Sequence, residues 1–309
     1  MGLVVVNPGL STTVQDMGRP GHAACGVSAG GSFDRGSADL ANALLGNAPG
    51  CALLEMTLVG GAYQAEGPLA MALAGAPIDA RIVEADGSEH PLRVPSSFTL
   101  RDGAKLVLGQ MTSGARTYLA VKAGWDTPLI LGSRSSEQPL QAGAQLPAAS
   151  SAVPSRYLPD PQWNSPSAAP FRIVEGPDSR SSPALNAAFW PSRRFRIGPH
   201  HDRKGLRLEG EHIPVISDPE RLSTPVGPGA VQAAGGELIV LGVACGTMGG
   251  YPHVAHVISA DLDRLGQLKA GDEIRFECVT IDQARRALFE SRKERHSLLR
   301  LVQLMSPDY

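Results

Sequence analysis

The stretch GTMGGYPHVAHVISADLDRLGQLKAGDEIRF, residues 246–276, shows how this chain folds. It opens with a glycine turn, Gly249-Gly250-Tyr251-Pro252, where glycine permits positive φ and a close approach of the backbone to a ligand. The apolar run His253–Ile258 follows and predicts a buried strand. A short helical turn and a second turn at 268–273 lead into a last predicted strand, Ile274–Val279. This order predicts a binding site built on β structure.

A second segment repeats this order earlier in the chain. Between Arg116 and Leu146 the sequence contains TYLAVKAGWDTPLILGS and then LQAGAQL, which parallel PHVAHVISADLDRL and LKAGDEI in the later segment. Self-similarity within one chain is typical of related structural units. We therefore expect two related β units.

The composition indicates a turn-rich globular protein. The 309 residues include 35 glycines and 25 prolines, and 42% are hydrophobic, which is enough apolar material for packed cores. A chain of this length commonly forms two domains. We predict an N-terminal β domain at 1–150, a linker rich in Ala, Ser and Pro at 151–170, and a C-terminal β domain at 171–309. The last domain is predicted to end in a helix from about Asp282 to Met305.

Charge and cysteine content argue against several classes of protein. The formal net charge of −2 provides no basic surface for nucleic acid or a membrane. The four scattered cysteines contain no C-x-x-C pair, so they form neither a zinc pattern nor a disulfide framework. No signal peptide pattern opens the chain, and no apolar run approaches the length of a membrane span. We therefore expect a cytoplasmic protein without a metal site.

Short segments bounded by Gly, Pro or Asp predict many strands and one early helix. The helix is predicted from Arg35 to Leu45, with Asp34 or Ser32 as its N-cap. Regularly spaced short strands favour a β-barrel or sandwich. Besides those already named, the predicted strands are Leu3–Val6, Thr12–Asp16, Leu53–Leu58, Leu69–Leu73, Ala80–Glu84, Phe98–Arg101, Lys105–Leu108, Thr117–Val121, Phe171–Val174, Phe195–Ile197, Leu206–Leu208 and Leu238–Val243.

Three patterns resemble functional motifs but lack the context that these motifs require. Residues 26–30, GVSAG, match a nucleophile elbow, yet only 25 residues precede them, too few for the strands of that fold. The run GPHHDRK at 198–204 has Arg203 where a phosphate-binding loop needs its second glycine. His253 and His256 are expected on opposite faces of a strand, so they are not expected to bind one metal ion.

Four charged residues are better candidates for a site. Asp202 and Arg203 lie beside a predicted turn, and an arginine can hold a carboxylate through two hydrogen bonds; the alternative is a surface salt bridge. Asp34 either caps the early helix or lines a site. Glu55 lies in the apolar run LLEMTL, so its carboxylate is either half of a structural ion pair or a functional acid.

These segments together resemble the allophanate hydrolase subunit 2 family, which is also described as biotin-dependent carboxyltransferase-like. The family includes the C-type component of 5-oxoprolinase, antagonists of a kinase inhibitor, and half of the carboxyltransferase domain of urea carboxylase. The resemblance implies a mainly β chain with two cyclophilin-like β-barrel domains, a few short helices and a C-terminal helix. The segments that carry it are TTVQDMGRPGHAACGVSAGGSFDRGSADLANALLGN, ALLEMTLVGG, HDRKGLRLEG and GGYPHVAHVISADLDRLGQLKAGDEIRF.

The resemblance also implies a function. Family members work with an allophanate hydrolase subunit 1-like partner; in 5-oxoprolinase this B-type partner and a third, A-type component take part in the ATP-driven opening of 5-oxoproline to glutamate. We therefore expect a hydrolase subunit that acts on a small amide, with ATP used by the complex and no covalently bound cofactor.

Two alternative functions stay open at this point. The first is a regulatory module that binds a kinase-inhibitor-like partner and does no chemistry. The second is a carboxyltransferase-type subunit that uses carboxybiotin. Because the chain has no A-M-K-M attachment motif, biotin would arrive on another protein.

The positions that match the family's motifs define the expected site. Asp34 and Asp202 are the expected proton-transfer residues, because carboxylates in a cleft can act as general bases. Arg203 is expected to bind a substrate carboxylate, and the turn at 249–252 is expected to offer backbone contacts. The expected substrate-binding residues are Arg19, Glu55, Arg203, Thr247, Gly249, Gly250, Tyr251 and Pro252.

Overall fold

The computed structural model describes residues 1–159, 169–179, 185, 188–210, 213 and 220–304. Part of the predicted linker, residues 160–168, and the predicted helix end at Met305 lie outside these ranges.

The chain divides into two compact units. Unit 1 comprises Met1–Arg19, Gly30–Pro166 and Arg295–Tyr309, and unit 2 comprises Pro20–Ala29 and Ser167–Glu294. Residues 20–29, near the start of the chain, therefore belong to unit 2, and residues 295–309, at its end, belong to unit 1. The two domains predicted from the sequence, separated by a linker at 151–170, are each continuous in sequence and do not include these two segments in this way.

In the described part of unit 1, antiparallel strands form two six-stranded sheets. Their orders are β11-β1-β4-β9-β6-β7 and β12-β8-β5-β10-β3-β2. The strands are β1 (Gly2–Asn7), β2 (Thr12–Gln15), β3 (Leu53–Thr57), β4 (Ala62–Glu66), β5 (Leu69–Gly75), β6 (Ile78–Val83), β7 (Glu89–Pro91), β8 (Ser96–Leu100), β9 (Lys105–Met111), β10 (Arg116–Val121), β11 (Gln145–Pro147) and β12 (Arg156–Tyr157).

Side chains of both sheets pack into one core in unit 1, and β5 shows how the sequence produces it. Met71 and Leu73 lie in this core, whereas Ala72 and Ala74 on the opposite face pack with helix α1 (Arg35–Ala43). Small alanine side chains let the helix lie close to the sheet. Because both faces of β5 are buried, its sequence is apolar without alternation.

The described part of unit 2 contains one eight-stranded sheet, ordered β21-β14-β15-β18-β17-β20-β13-β22, and a two-stranded sheet, β16-β19. Neighbouring strands are antiparallel except β13 and β22. The strands are β13 (Phe171–Glu175), β14 (Phe195–His201), β15 (Gly205–Glu209), β16 (Thr224–Pro225), β17 (Ala230–Ala234), β18 (Glu237–Leu241), β19 (Met248–Gly249), β20 (His253–Val257), β21 (Glu273–Ile274) and β22 (Phe276–Cys278).

Helices are few. Besides α1, the described chain contains 3-10 turns at Ala23–Cys25 and Ser259–Asp261, helix α2 (Leu262–Leu265) and the C-terminal helix α3 (Ile281–Leu304). The predicted fold class, a mainly β chain with barrel-like sheets, a few short helices and a C-terminal helix, is confirmed. No helix in the described ranges is both long and apolar enough to cross a membrane.

The repeat found in the sequence corresponds to two equivalent turns. In Gln141–Ala144 and in Lys269–Asp272, the last N–H donates to the first carbonyl at 3.1 Å. The third residue of each turn is a glycine, with φ of 84° and 88°, a conformation that glycine adopts readily. The same glycine donates its N–H to the carbonyl of Val5 in unit 1 and of Ile197 in unit 2. In each unit the turn therefore leads into a short strand that pairs with an earlier one, β11 with β1 in unit 1 and β21 with β14 in unit 2.

The sequence located α1 and most longer strands but missed β17. Its sequence, AVQAA, is rich in alanine, which has a low strand propensity. The other missed strands are β4, β7, β11, β12, β16 and β19. Most of these contain only two or three residues, too few to show a period of two.

Candidate functional site

Unit 2 has an open cavity of about 720 Å³, whose floor is the outer face of three neighbouring strands. On β15, Leu206 and Leu208 are buried in the core, so Arg207 between them faces outward. The strand register places Arg207 opposite Ile239 on β18, and Ile239 opposite Gln232 on β17. These three side chains form one row across the floor of the cavity.

Two loops form walls of the unit 2 cavity. One contains residues 199–204, which run from the irregular end of β14 into the turn that follows it, and the other contains residues 245–251. Pairing of Thr224 with Gly249 anchors the second loop. Four of the site residues predicted from the sequence line this cavity, namely Asp202, Gly249, Gly250 and Tyr251.

Some charged groups of the cavity have hydrogen-bond or salt-bridge partners in the protein, and others do not. Arg207 lies 3.6 Å from Glu237 in an exposed salt bridge. The Asp202 Oδ1 atom accepts hydrogen bonds from the N–H groups of Lys204 and Gly205, at 2.7 and 3.2 Å, which shapes the turn. Within the described residues, the Lys204 ammonium and Asp202 Oδ2 have no partner. An anionic ligand can therefore bind Lys204 without displacing a protein group.

Gln232 lines the unit 2 cavity and is a functional candidate that was not predicted from the sequence. Its side chain is only 4% exposed, and its Nε2 donates to the Tyr251 carbonyl at 3.2 Å. A Cβ atom on Gly249 would lie 2.3 Å from this Nε2, so the glycine makes room for the amide. The Oε1 atom accepts no hydrogen bond from the described part of the chain and is not sealed from solvent. A polar residue inside the apolar run AVQAA was the available signal, but no strand was predicted there.

Cys245 also lines the unit 2 cavity. Burial raises the pKa of its thiol to about 11. The thiol is therefore protonated near neutral pH, and a protonated thiol is a poor nucleophile.

His253 and His256 contact each other, so the prediction that they lie on opposite faces of the strand is wrong. The register of β20 shifts between Val231 and Gln232 of β17, which leaves Val254 as an extra, bulged residue. The bulge turns both rings to one side, with Nδ1 of His256 3.3 Å from Nε2 of His253. Burial lowers the pKa of both imidazoles, and the neighbouring His253 lowers that of His256 further.

No set of three or more His, Cys, Asp or Glu side chains in the described ranges is arranged to hold a metal ion.

Glu55 lies in the buried polar cluster of unit 1, which consists of Asp34, Glu55, Arg116 and Tyr118. The Glu55 carboxylate, 1% exposed, accepts hydrogen bonds from the Phe33 N–H and the Tyr118 hydroxyl at 2.8 Å and from Arg116 Nε at 3.3 Å. Burial and then the Glu55 charge raise the pKa of Tyr118 well above its ordinary value. The protonated tyrosine therefore remains a hydrogen-bond donor to Glu55.

Asp34 is the N-cap of α1, as predicted. Its two carboxylate oxygens accept hydrogen bonds from Ser37, one from the N–H at 3.0 Å and one from the hydroxyl at 2.6 Å. Its own N–H donates to the Tyr118 hydroxyl. Asp34 is 1% exposed, and its role in proton transfer remains a prediction.

Arg19 holds a loop of unit 1 together with Asp16. The Arg19 guanidinium donates to the carbonyls of Ser135, at 2.6 Å, and Ile130, at 3.3 Å. Asp16 accepts hydrogen bonds from the hydroxyls of Ser133 and Ser135. Although burial acts to raise it, these hydrogen bonds hold the pKa of Asp16 below its ordinary value. Arg19 was predicted as a site residue from its sequence motif, but its acidic neighbour Asp16 was not.

Arg203, Thr247 and Pro252 are not among the residues that line the unit 2 cavity. Their carbonyls accept hydrogen bonds from backbone N–H groups at 3.0 Å in each case. These residues thus contribute to the walls through their backbone, and a substrate contact by their side chains remains a prediction.

The family to which the chain belongs is now clear. The carboxyltransferase domain family, subdomains A and B, matches residues 25–278. The chain is a member of this family, so the resemblance inferred from the sequence is confirmed.

Individual known proteins are similar to this chain over most of its length. The C-type component of 5-oxoprolinase from Escherichia coli is 31% identical over 300 residues, which cover 92% of this chain and 94% of that protein. Urea amidolyase of Lachancea kluyveri is 27% identical over 324 residues, covering 91% of this chain but 17% of that protein. The crystal structure of TTHA0988 has a TM-score of 0.77 and 35% identity, covering 89% of this chain and 56% of that one. The chain thus spans only part of the last two proteins.

Proposed function

We propose that this chain is the C-type component of an ATP-dependent 5-oxoprolinase, in which it acts with a B-type and an A-type component. The observation that carries the proposal is the match to the C-type component of the E. coli enzyme, which extends over 94% of that protein. Because the chain has no phosphate-binding loop, we assign the use of ATP to a partner protein.

The unit 2 cavity suits the substrate of this reaction. 5-Oxoproline is a five-membered cyclic amide that carries a carboxylate, and Lys204 offers an ammonium without a partner in the described chain. Hydrogen bonds between charged groups are roughly twice as strong as neutral ones. The backbone at Gly249 and Gly250 permits a close approach. A volume of about 720 Å³ leaves room beside such a small ligand for a group from a partner protein.

The hydrolysis requires one proton acceptor close to the ring. Water adds its oxygen to the amide carbon, the ring C–N bond breaks, and the nitrogen gains a proton. Asp202 Oδ2 can act as this proton acceptor. The turn engages Oδ1 in two hydrogen bonds, whereas Oδ2 accepts no hydrogen bond from the described residues. We assign Asp202 to take the proton from water and return it to the nitrogen. Asp34 remains a second predicted proton-transfer residue.

The test is reconstitution of the complex from this chain, a B-type component and an A-type component. We expect ATP hydrolysis that depends on 5-oxoproline, with glutamate as product. Lys204→Met should lower the apparent affinity for 5-oxoproline by about tenfold or more, the worth of one charge-assisted hydrogen bond. Lys105→Met, which removes an exposed lysine of β9, is the matched control. A stable complex without turnover would favour the regulatory module, and the absence of any complex would contradict the proposal.

A carboxyltransferase that uses carboxybiotin is the second candidate. It is favoured by the family match itself and by the similarity to urea amidolyase. Avidin binds biotin and blocks its chemistry. Carboxyl transfer to a small amide that stops when avidin is added would support this candidate, whereas turnover unchanged by avidin would rule it out.

A further inference from the structure

We infer that Gln232 recognises the amide N–H of the ligand and thereby selects a lactam over a ring of the same shape that lacks this N–H. The inference rests on the proposed function, since it takes the unit 2 cavity as the substrate site. It assigns to Gln232 a role in specificity rather than in the chemical step.

The orientation of the Gln232 amide is set by its surroundings. Nε2 donates to the Tyr251 carbonyl at 3.2 Å. This bond identifies Oε1 as the atom that remains for a ligand. The side chain lines the cavity and is 4% exposed, so most of it is held by the protein.

The Oε1 atom is an acceptor without a donor. It accepts no hydrogen bond from the described residues and is not sealed from solvent. A nearly buried polar atom of this kind is stabilised when a ligand supplies the missing N–H. A cyclic amide supplies one, whereas the ring oxygen of a lactone is itself an acceptor and would repel Oε1.

Gly249 keeps the amide in this position. Its hypothetical Cβ would lie 2.3 Å from Gln232 Nε2, so any side chain at 249 displaces the group. Gly250 provides the contrast, because a Cβ there would meet only Ser223 Oγ, at 3.6 Å. The glycine requirement at 249 therefore follows from the placement of Gln232.

The experiment compares two ligands that differ at one ring position, 5-oxoproline and the lactone in which the ring N–H is replaced by oxygen. Binding to the full chain, in complex with its B-type partner and without ATP, is measured by calorimetry. Sites built to accept a ligand N–H discriminate strongly against analogues without it, so we expect the wild type to prefer the lactam by about tenfold or more. Gln232→Met should reduce this preference to within about twofold, whereas Lys204→Met should weaken both ligands alike.

A second variant keeps the test decisive if Gln232→Met fails to fold. Gln232→Leu also removes both polar atoms with a side chain of similar size, so the preference for the lactam should again fall to within about twofold. An unchanged preference in Gln232→Met, or in Gln232→Leu where only that variant folds, would overturn the inference but not the proposed function. Failure of the wild-type complex to bind either ligand would overturn the inference together with the proposed function.

Discussion

The buried polar cluster of unit 1 and the unit 2 cavity both contain charged residues that the sequence singled out, but they use their hydrogen-bonding groups differently. In the cluster, the carboxylates of Glu55 and Asp34 accept hydrogen bonds from nearby N–H and O–H groups of the protein. In the cavity, the Lys204 ammonium and Gln232 Oε1 have no partner in the described chain.

This difference in hydrogen bonding distinguishes polar residues expected to stabilise the fold from polar residues expected to bind a ligand. Buried polar groups that are fully hydrogen-bonded stabilise one arrangement of the chain, and their loss is expected to affect folding. Groups with unused hydrogen-bonding capacity at a cavity are available to a ligand, and their loss is expected to affect binding. We therefore expect the loss of Glu55 to affect mainly folding, and the loss of Lys204 or Gln232 to affect mainly binding.

The largest expected effect comes from removing one charge of the buried ion pair. Glu55→Gln removes the carboxylate charge that faces the Arg116 guanidinium, whose side chain is 4% exposed. We expect a loss of about 3 kcal/mol in the free energy of unfolding. Chemical denaturation followed by circular dichroism measures it.

The matched control for this variant is Glu237→Gln in unit 2. The side chains of Glu237 and Arg207 are 54% and 51% exposed, so this change should cost at most about 1 kcal/mol. Equal losses in the two variants would remove the distinction between the cluster and the cavity.

The second prediction concerns the two neighbouring glycines of the cavity wall. Gly249→Ala displaces the Gln232 amide, whereas a Cβ on Gly250 makes only an ordinary contact with Ser223 Oγ at 3.6 Å. We expect Gly249→Ala to weaken binding of 5-oxoproline about tenfold, the worth of one neutral hydrogen bond. Gly250→Ala leaves the Gln232 amide in place, so it should weaken binding less than Gly249→Ala in the same calorimetric titration. Similar affinities for the two variants would show that Gln232 is not held by Gly249.

The third prediction tests whether Asp34 only stabilises the fold or also takes part in proton transfer. Asp34→Ala removes the N-cap of α1 and should cost about 1 kcal/mol in the free energy of unfolding. Asp34→Ser should restore most of this loss, because serine is also a good N-cap. Turnover of the reconstituted complex then decides the role. A stable Asp34→Ser variant with wild-type turnover makes Asp34 structural, whereas one without turnover assigns it to chemistry.

The smallest expected effect is a decline in stability at mildly acidic pH. The pKa values of His253 and His256 are lowered from 6.5 in the folded chain, so the unfolded chain takes up protons first as the pH falls. The free energy of unfolding should therefore decrease below about pH 6.5. Thermal unfolding across this range should show a shallower decline for His256→Gln. His296→Gln, on an exposed position of α3, should follow the wild type. Identical slopes for His256→Gln and the wild type would exclude the pair as the cause.

Features that depend on neighbours in the sequence were predictable. Helix α1 and its Asp34 cap follow from local periodicity and capping chemistry, and the repeated turns follow from glycines that must adopt positive φ. The contact between His253 and His256 was not predictable, because it depends on a bulge that forms only when β20 pairs with β17. Gln232 was missed for a related reason, since AVQAA becomes a strand through its neighbours on both sides.

The sequence by itself determined the fold class, the family and the set of polar residues worth testing, because local patterning and motif order carry this information. Only the tertiary structure decided which of those residues are already paired. Glu55 meets Arg116 across 61 residues of sequence, and Gln232 is oriented by the carbonyl of Tyr251 across 19 residues. Hydrogen-bonding capacity is used up by partners brought together through folding, so the groups that remain for a ligand are known only once every strand has its neighbours.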